Sequence, residues 1–115
     1  MARAQPPMRE PTYFTLAALL DGPLHGYGII KRAEDLSNRR LRLTAGTLYT
    51  ALDRLTTAGM VDVVREEVVS GRARRYYELT AAGREAVRAE GLRMAEAARV
   101  VTERPDMSAV AGGSM

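Results

Sequence analysis

A change of period part-way along the chain constrains the fold more than any other feature. Up to Ala58 the apolar residues recur at helical spacing. Met60-Val61-Asp62-Val63-Val64-Arg65-Glu66 then breaks that rhythm with a β-branched run of strand character. Ser70-Gly71 marks a turn, and Arg74-Arg75-Tyr76-Tyr77-Glu78-Leu79 reads as the returning strand. From Thr80 the helical spacing resumes. A hairpin set between helices must therefore be accommodated in one small core.

The helical parts resolve further. After Pro11, Thr12 is placed to cap a first helix whose Tyr13, Leu16, Ala17 and Leu20 follow 3, 4 and 7 spacing. Asp21-Gly22-Pro23 ends it. A second helix runs from about Gly26 to Leu36, with Ile29, Ile30, Ala33 and Leu36 inward. Ser37 to Leu43 is a basic connection, with a short extended piece expected at Leu41 to Leu43. Thr44 caps a third helix, Ala45 to Ala58, closed by Gly59. Its Leu48, Ala51, Leu52, Leu55 and Ala58 point one way; Gly46, Thr47, Thr50, Asp53, Arg54 and Thr57 point another, with Tyr49 at the border.

The last helix, from Thr80 to about Arg104, carries Val87, Gly91, Met94, Ala98 and Val101 at 4, 3, 4, 3 spacing, the seam of a helix that packs on a partner. Two heptads of mostly small residues are too few for an independent coiled coil. The expected fold class is mostly α (α+β): three helices, a two-stranded β-hairpin and a long C-terminal helix, which is a winged helix-turn-helix. Residues 1–10 are expected to form a flexible arm, 11–80 the winged helix, 81–105 the dimerisation helix and 106–115 a disordered tail. The length suits one core.

Charge suggests a partner for this surface. Lys31 to Arg75 holds ten basic and six acidic residues, an excess of +4, whereas Tyr77 to Arg104 balances five arginines against five glutamates. A local anionic contact follows, with ordinary solvated faces as the alternative. Cysteine is absent and His25 is the one histidine, so disulfides, thiolate zinc and a Ser-His-Asp triad lack raw material. No catalytic residue, metal or cofactor is expected. The stretch Leu16 to Leu20 is too short to span a bilayer, which takes about 20 residues. With no signal peptide legible, a cytoplasmic site of action is expected.

Three motifs in order resemble the PadR family of transcription regulators: Leu20-Asp21-Gly22-Pro23-Leu24-His25-Gly26-Tyr27-Gly28-Ile29, Gly46-Thr47-Leu48-Tyr49 with Leu52, Arg54-Leu55 and Gly59, and Arg72 through Gly83. They cover roughly Pro11 to Leu92. The single C-terminal helix is similar to the short branch of the family. Tryptophan, which some short members use to stack planar drugs, is absent.

The resemblance implies a sequence-specific regulator of double-stranded DNA, a repressor released by an aromatic or cationic small molecule. Gly46, Thr47, Tyr49 and Thr50 would enter the groove, Arg54, Arg72, Arg74 and Arg75 would contact phosphates, and Tyr76 belongs to the same set. The alternative for Tyr49 is packing against the second helix or the wing. Tyr76 and Tyr77 must face opposite sides of their strand, one in the core and one near DNA. His25 is expected to hydrogen-bond the backbone at its helix start. Leu16, Val87, Gly91, Met94, Ala98 and Val101 would form a homodimer interface, setting two third helices about 34 Å apart on an inverted repeat. A protein-interaction module is the rival reading; the central positive excess and wing arginines count against it.

Overall fold

The computed structural model describes residues 8–105. Its elements run α1 (Glu10–Ala18), β1 (Leu24–His25), α2 (Gly26–Leu36), α3 (Ala45–Thr57), β2 (Val61–Val69), β3 (Arg72–Leu79) and α4 (Ala81–Thr102). The tail expected over residues 106–115 and the first seven residues of the arm lie outside the described residues.

Helix α1 starts earlier than its sequence suggests. Arg9 is the extended N-cap, Pro11 falls in the first turn, where its missing N–H costs no bond, and Glu10 complements the positive helix end. Thr12 is thus inside the helix and is not its cap. Residues 8–10, expected within the flexible arm, are docked. Met8 packs against the core and its N–H donates to the Glu90 carboxylate at 3.4 Å, while Glu10 pairs with Arg40.

Local capping explains the remaining helices. The Thr44 hydroxyl accepts from the Thr47 N–H at 3.1 Å, and the Thr80 hydroxyl accepts from the Gly83 N–H at 3.0 Å. Each satisfies an N–H that a helix start leaves without a partner. Helix α2 ends where Asn38 and Arg39 adopt left-handed φ values of 57° and 65°. The extended piece expected at Leu41 to Leu43 does not form; Ser37 organises this connection instead, its Oγ accepting from the Leu41 N–H at 3.0 Å.

The wing differs from expectation in one respect. The two-stranded hairpin is part of a three-stranded antiparallel sheet of order β1-β3-β2, in which Leu24 pairs with Tyr77 and His25 with Tyr76. Two residues of β1 are too few to show alternation, so the sequence carries no strand signal there. Between β2 and β3, Ser70 and Gly71 both have positive φ, 53° and 79°, as a type I′ turn requires. The register slips by one residue between Val63 and Arg65, so Val64 is a bulge.

Leu16, Leu19, Ile29, Leu48, Leu52 and Val61 are fully buried and form the centre of the core. Each contributes about 1.5–3 kcal/mol by removal from water. Leu20 and Leu36, expected inward, are 38% and 40% exposed, and Ala58 is exposed as the C-cap of α3. Two residues expected at a subunit interface belong to this core instead: Leu16 is 0% and Val87 3% exposed. Gly91 is also turned inward, because a Cβ there would stand 3.3 Å from the Tyr13 hydroxyl. From Leu92 onward every described residue is exposed, Met94, Ala98 and Val101 among them. The second half of α4 therefore stands clear of the body.

Candidate nucleic-acid interface

The outer face of α3 is built by the pattern that builds the core. Leu48, Leu52 and Leu55 are buried, which turns Gly46, Thr47, Tyr49, Thr50, Asp53, Arg54 and Thr57 outward, all of them exposed. The near end is thin: nothing lies within 4 Å of where a Cβ on Gly46 would stand. Arg54 has no ion-pair partner among the described residues, and neither has Asp53. This ridge presents small hydroxyls, one ring, one carboxylate and one guanidinium to solvent.

The ridge is flanked on both sides. Toward the wing, Tyr49 and Asp53 share a groove with Ala73, Arg75 and Tyr77. Toward α1, Thr47, Thr50, Ala51 and Arg54 share another with Arg9, Pro11 and Thr12.

The strand register divides the wing cations. Val63, Glu66 and Val68 of β2 oppose Tyr77, Arg75 and Ala73, while Arg65, Glu67 and Val69 oppose Tyr76, Arg74 and Arg72. Arg75 is held by Glu66 at 2.8 Å, and that carboxylate raises its pKa. Arg72 and Arg74 form no ion pair among the described residues. Of the three wing arginines named from sequence, two are therefore unpaired and one is neutralised by its cross-strand neighbour.

The two tyrosines separate as alternation requires. Tyr77 is the buried one, 5% exposed, and burial raises its pKa, with Tyr49 adding to the effect. Tyr76 is half-buried but committed to intramolecular contacts: Arg65 lies 4.0 Å over its ring, its hydroxyl donates to Glu67 at 3.0 Å, and His25 meets its edge at 5.4 Å between centroids. Its ring and hydroxyl are thus engaged within the chain in the absence of DNA. His25 departs from expectation. It is the N-cap of α2 but makes no side-chain capping bond, since its ring turns to Tyr76. Burial chiefly, and then the Arg74 charge, lower its pKa, with Glu67 pulling it back up.

Two residues outside the expected contact set belong to this surface. Asp53 is one, already read from sequence on the outward face of α3. Arg9 is the other: the sequence left its role toward DNA open, and the packing of α1 beside α3 brings it there.

Residues 15–89, well over half of the chain, match the family described as "Transcriptional regulator PadR-like family". The chain belongs to the PadR-like family of transcriptional regulators. This PadR-like regulator is 40% identical over 81 residues to the transcriptional regulator Rv3488 of Mycobacterium tuberculosis, covering 70% of the present chain and 72% of that one. Its fold is similar to that of a PadR family transcription regulator from Clostridium difficile, with a TM-score of 0.67, 22% identity, and coverage of 83% and 97% of the two chains. It is also similar to Bacillus subtilis PadR, whose structure was solved in complex with operator DNA; the TM-score is 0.62, with 23% identity and coverage of 70% and 46%. The likeness to these two structures concerns the fold.

The family is one of regulators and not of enzymes. Among the described residues, no group of three or more His, Asp or Glu is placed to hold a metal ion, and no helix is long and apolar enough to cross a membrane.

Proposed function

We propose that this PadR-like regulator binds double-stranded DNA sequence-specifically as a homodimer and represses transcription from the cytoplasm. The outer face of α3 carries the reading: it presents hydroxyls, Tyr49, Asp53 and Arg54 to solvent, with unpaired Arg72 and Arg74 beside it on the wing. A helix is about 10–12 Å across, which suits the major groove of about 12 Å. Thr47, Tyr49, Thr50 and Asp53 would face base edges there. Gly46 would admit close approach, and Arg54, Arg72 and Arg74 would meet phosphates, which supply affinity without reading sequence. Arg75 joins them only by exchanging Glu66 for phosphate.

Dimerisation is supported by the free half of α4. Leu92, Val100 and Val101 are 65%, 62% and 74% exposed there, a cost that pairing with a second copy would remove. Met94, Ala98 and Val101 would lie in that pairing. The pairing would fix the distance between two α3 helices and so select an inverted repeat. Bound at a promoter, the dimer would repress by steric exclusion. Release by an aromatic or cationic small molecule rests on the family alone; such a ligand would act by favouring a spacing of the α3 helices unsuited to the operator.

The test is fluorescence anisotropy of the full chain against duplex from its own promoter and a scrambled duplex, at several salt concentrations. Tighter binding to the promoter duplex, with one dimer per site and a steep log-linear loss between about 50 and 200 mM salt, is expected. Absence of binding to both duplexes at low salt would refute the DNA reading and favour a protein partner.

A further inference from the structure

We propose that the groove between the start of α1 and the outer face of α3 is a binding site for the DNA backbone, with Arg9 its principal cation. The site deepens the DNA reading above and rests on it. Arg9, Pro11 and Thr12 form one wall, and Gly46, Thr47, Thr50, Ala51 and Arg54 the other, around a groove of about 440 Å³. The lining holds two guanidinium groups, three threonine hydroxyls and no carboxylate. Seven of the other thirteen described arginines, Arg32, Arg40, Arg42, Arg65, Arg75, Arg93 and Arg99, are in ion pairs, and six are not. Arg9 and Arg54 have none among the described residues. A concave lining of unpaired cations and hydroxyl donors is chemistry for a phosphodiester.

Position identifies which phosphodiester. A helix seated in the major groove has a sugar-phosphate strand along each of its flanks. On one flank of α3 stands the wing, with Arg72 and Arg74. The other flank would meet the opposite strand with Arg54 alone if α3 supplied every contact. Arg9 fills that flank from a different element, and it is held in place there. It caps α1 in an extended conformation, while its neighbours Met8 and Glu10 are tied to Glu90 and Arg40. The backbone that carries Arg9 is therefore ordered before DNA arrives, which spares ordering entropy on binding. Wing and α1 would then clamp the two strands on either side of the reading helix.

The test compares wild type with R9A, R9K and R88A of the full chain. It uses duplex from the chain's own promoter and scrambled duplex, titrated across salt. R9A should weaken binding to both duplexes by a similar factor, roughly tenfold, as for loss of a charged contact. Its plot of log affinity against log salt should be shallower by about 0.9 per protomer. R9K should recover most of the affinity, and R88A, an exposed arginine in the first half of α4, should match wild type. Phosphate-ethylation interference should lose one protected phosphate per half-site in R9A. If wild type binds and R9A coincides with it at every salt concentration, the site is wrong while the DNA reading stands. Loss confined to the promoter duplex with an unchanged slope would also overturn it, since Arg9 would then read a base. Wild type that binds no duplex at low salt overturns the DNA reading and this site together.

Discussion

Gly26 and Tyr49 occupy each other's space: a Cβ on Gly26 would stand 2.9 Å from the Tyr49 ring carbon Cζ and closer still to its hydroxyl. The first turn of α2 thus fixes where the aromatic residue of α3 points. Gly26→Ala should push Tyr49 aside at little cost in stability, because the obstacle is the far end of a side chain and alanine favours a helix. DNA affinity should fall about tenfold, the loss of one well-placed contact. Tyr49→Ala should fall similarly, and the double variant should lose no more than either alone, since both act through one ring. Additive losses in anisotropy would show that Gly26 acts separately.

Gly83 tolerates no such change. A Cβ there would come within 2.9 Å of the Met60 carbonyl carbon, and that carbonyl is held by the Thr80 N–H at 3.0 Å. The obstacle is backbone, so α4 would have to move off the sheet. Gly83→Ala should cost about 1–3 kcal/mol by urea unfolding, as overpacking does. An unchanged midpoint would mean that this contact is looser than described.

Thr15 is fully buried, and its hydroxyl has no hydrogen-bond partner among the described residues. Thr15→Val keeps the shape and removes the buried polar atom, so a gain of about 1 kcal/mol is expected. The melting temperature should rise by about 4–8 °C for a chain of this size. A drop would show that the hydroxyl is satisfied in solution.

The His25 ring is held neutral by burial and by Arg74, so its folded pKa lies below the ordinary value near 6.5. The unfolded chain takes up this proton first as pH falls. The contribution is complete above about 6.5 and is lost as pH falls from there toward the folded value. His25→Gln should flatten the stability profile in that window. Glu90 acts at lower pH, because Arg93 first, and then the Met8 N–H, hold its carboxyl below the ordinary range against the opposing effect of burial. Its contribution is present above the ordinary carboxylate value and is lost as pH falls through the folded one. Glu90→Gln should flatten that acid limb and loosen residue 8, as amide exchange at Met8 would report. A His25→Gln profile that still slopes near pH 6.5 would assign the effect elsewhere.

The free half of α4 gives a test of assembly. Val101→Glu and Ala98→Glu place charge on a surface that is already exposed in one protomer, so folding should be unaffected. Light scattering should show monomer where wild type is dimer, and DNA affinity should fall at least a hundredfold with loss of the second half-site. A dimer that survives both substitutions would move the interface off α4.

Much of this was legible in the residues themselves. The bounds of α2, the caps at Thr44 and Thr80, the Ser70-Gly71 turn and the outward face of α3 all depend on neighbours within about four positions. The opposite facing of Tyr76 and Tyr77 is likewise a local consequence of strand geometry, but which of them is buried is not. That was decided by the side on which α3 packs. The same holds for Leu16 and Val87, whose seam spacing is satisfied equally by the protomer's own core and by a second copy.

What the sequence by itself determined is therefore the order and type of the main elements, the polar ridge on α3 and the family. Tertiary structure alone decided the pairing of β1 with β3, the bulge at Val64, the capture of Arg75 by Glu66, and the arrival of Arg9 beside Arg54. The physical reason is range. Helix caps, turns and periodicity act through the nearest few bonds, whereas strand pairing, ion pairs and groove walls join residues distant in the chain. Those contacts exist only once the core has set the distance between them.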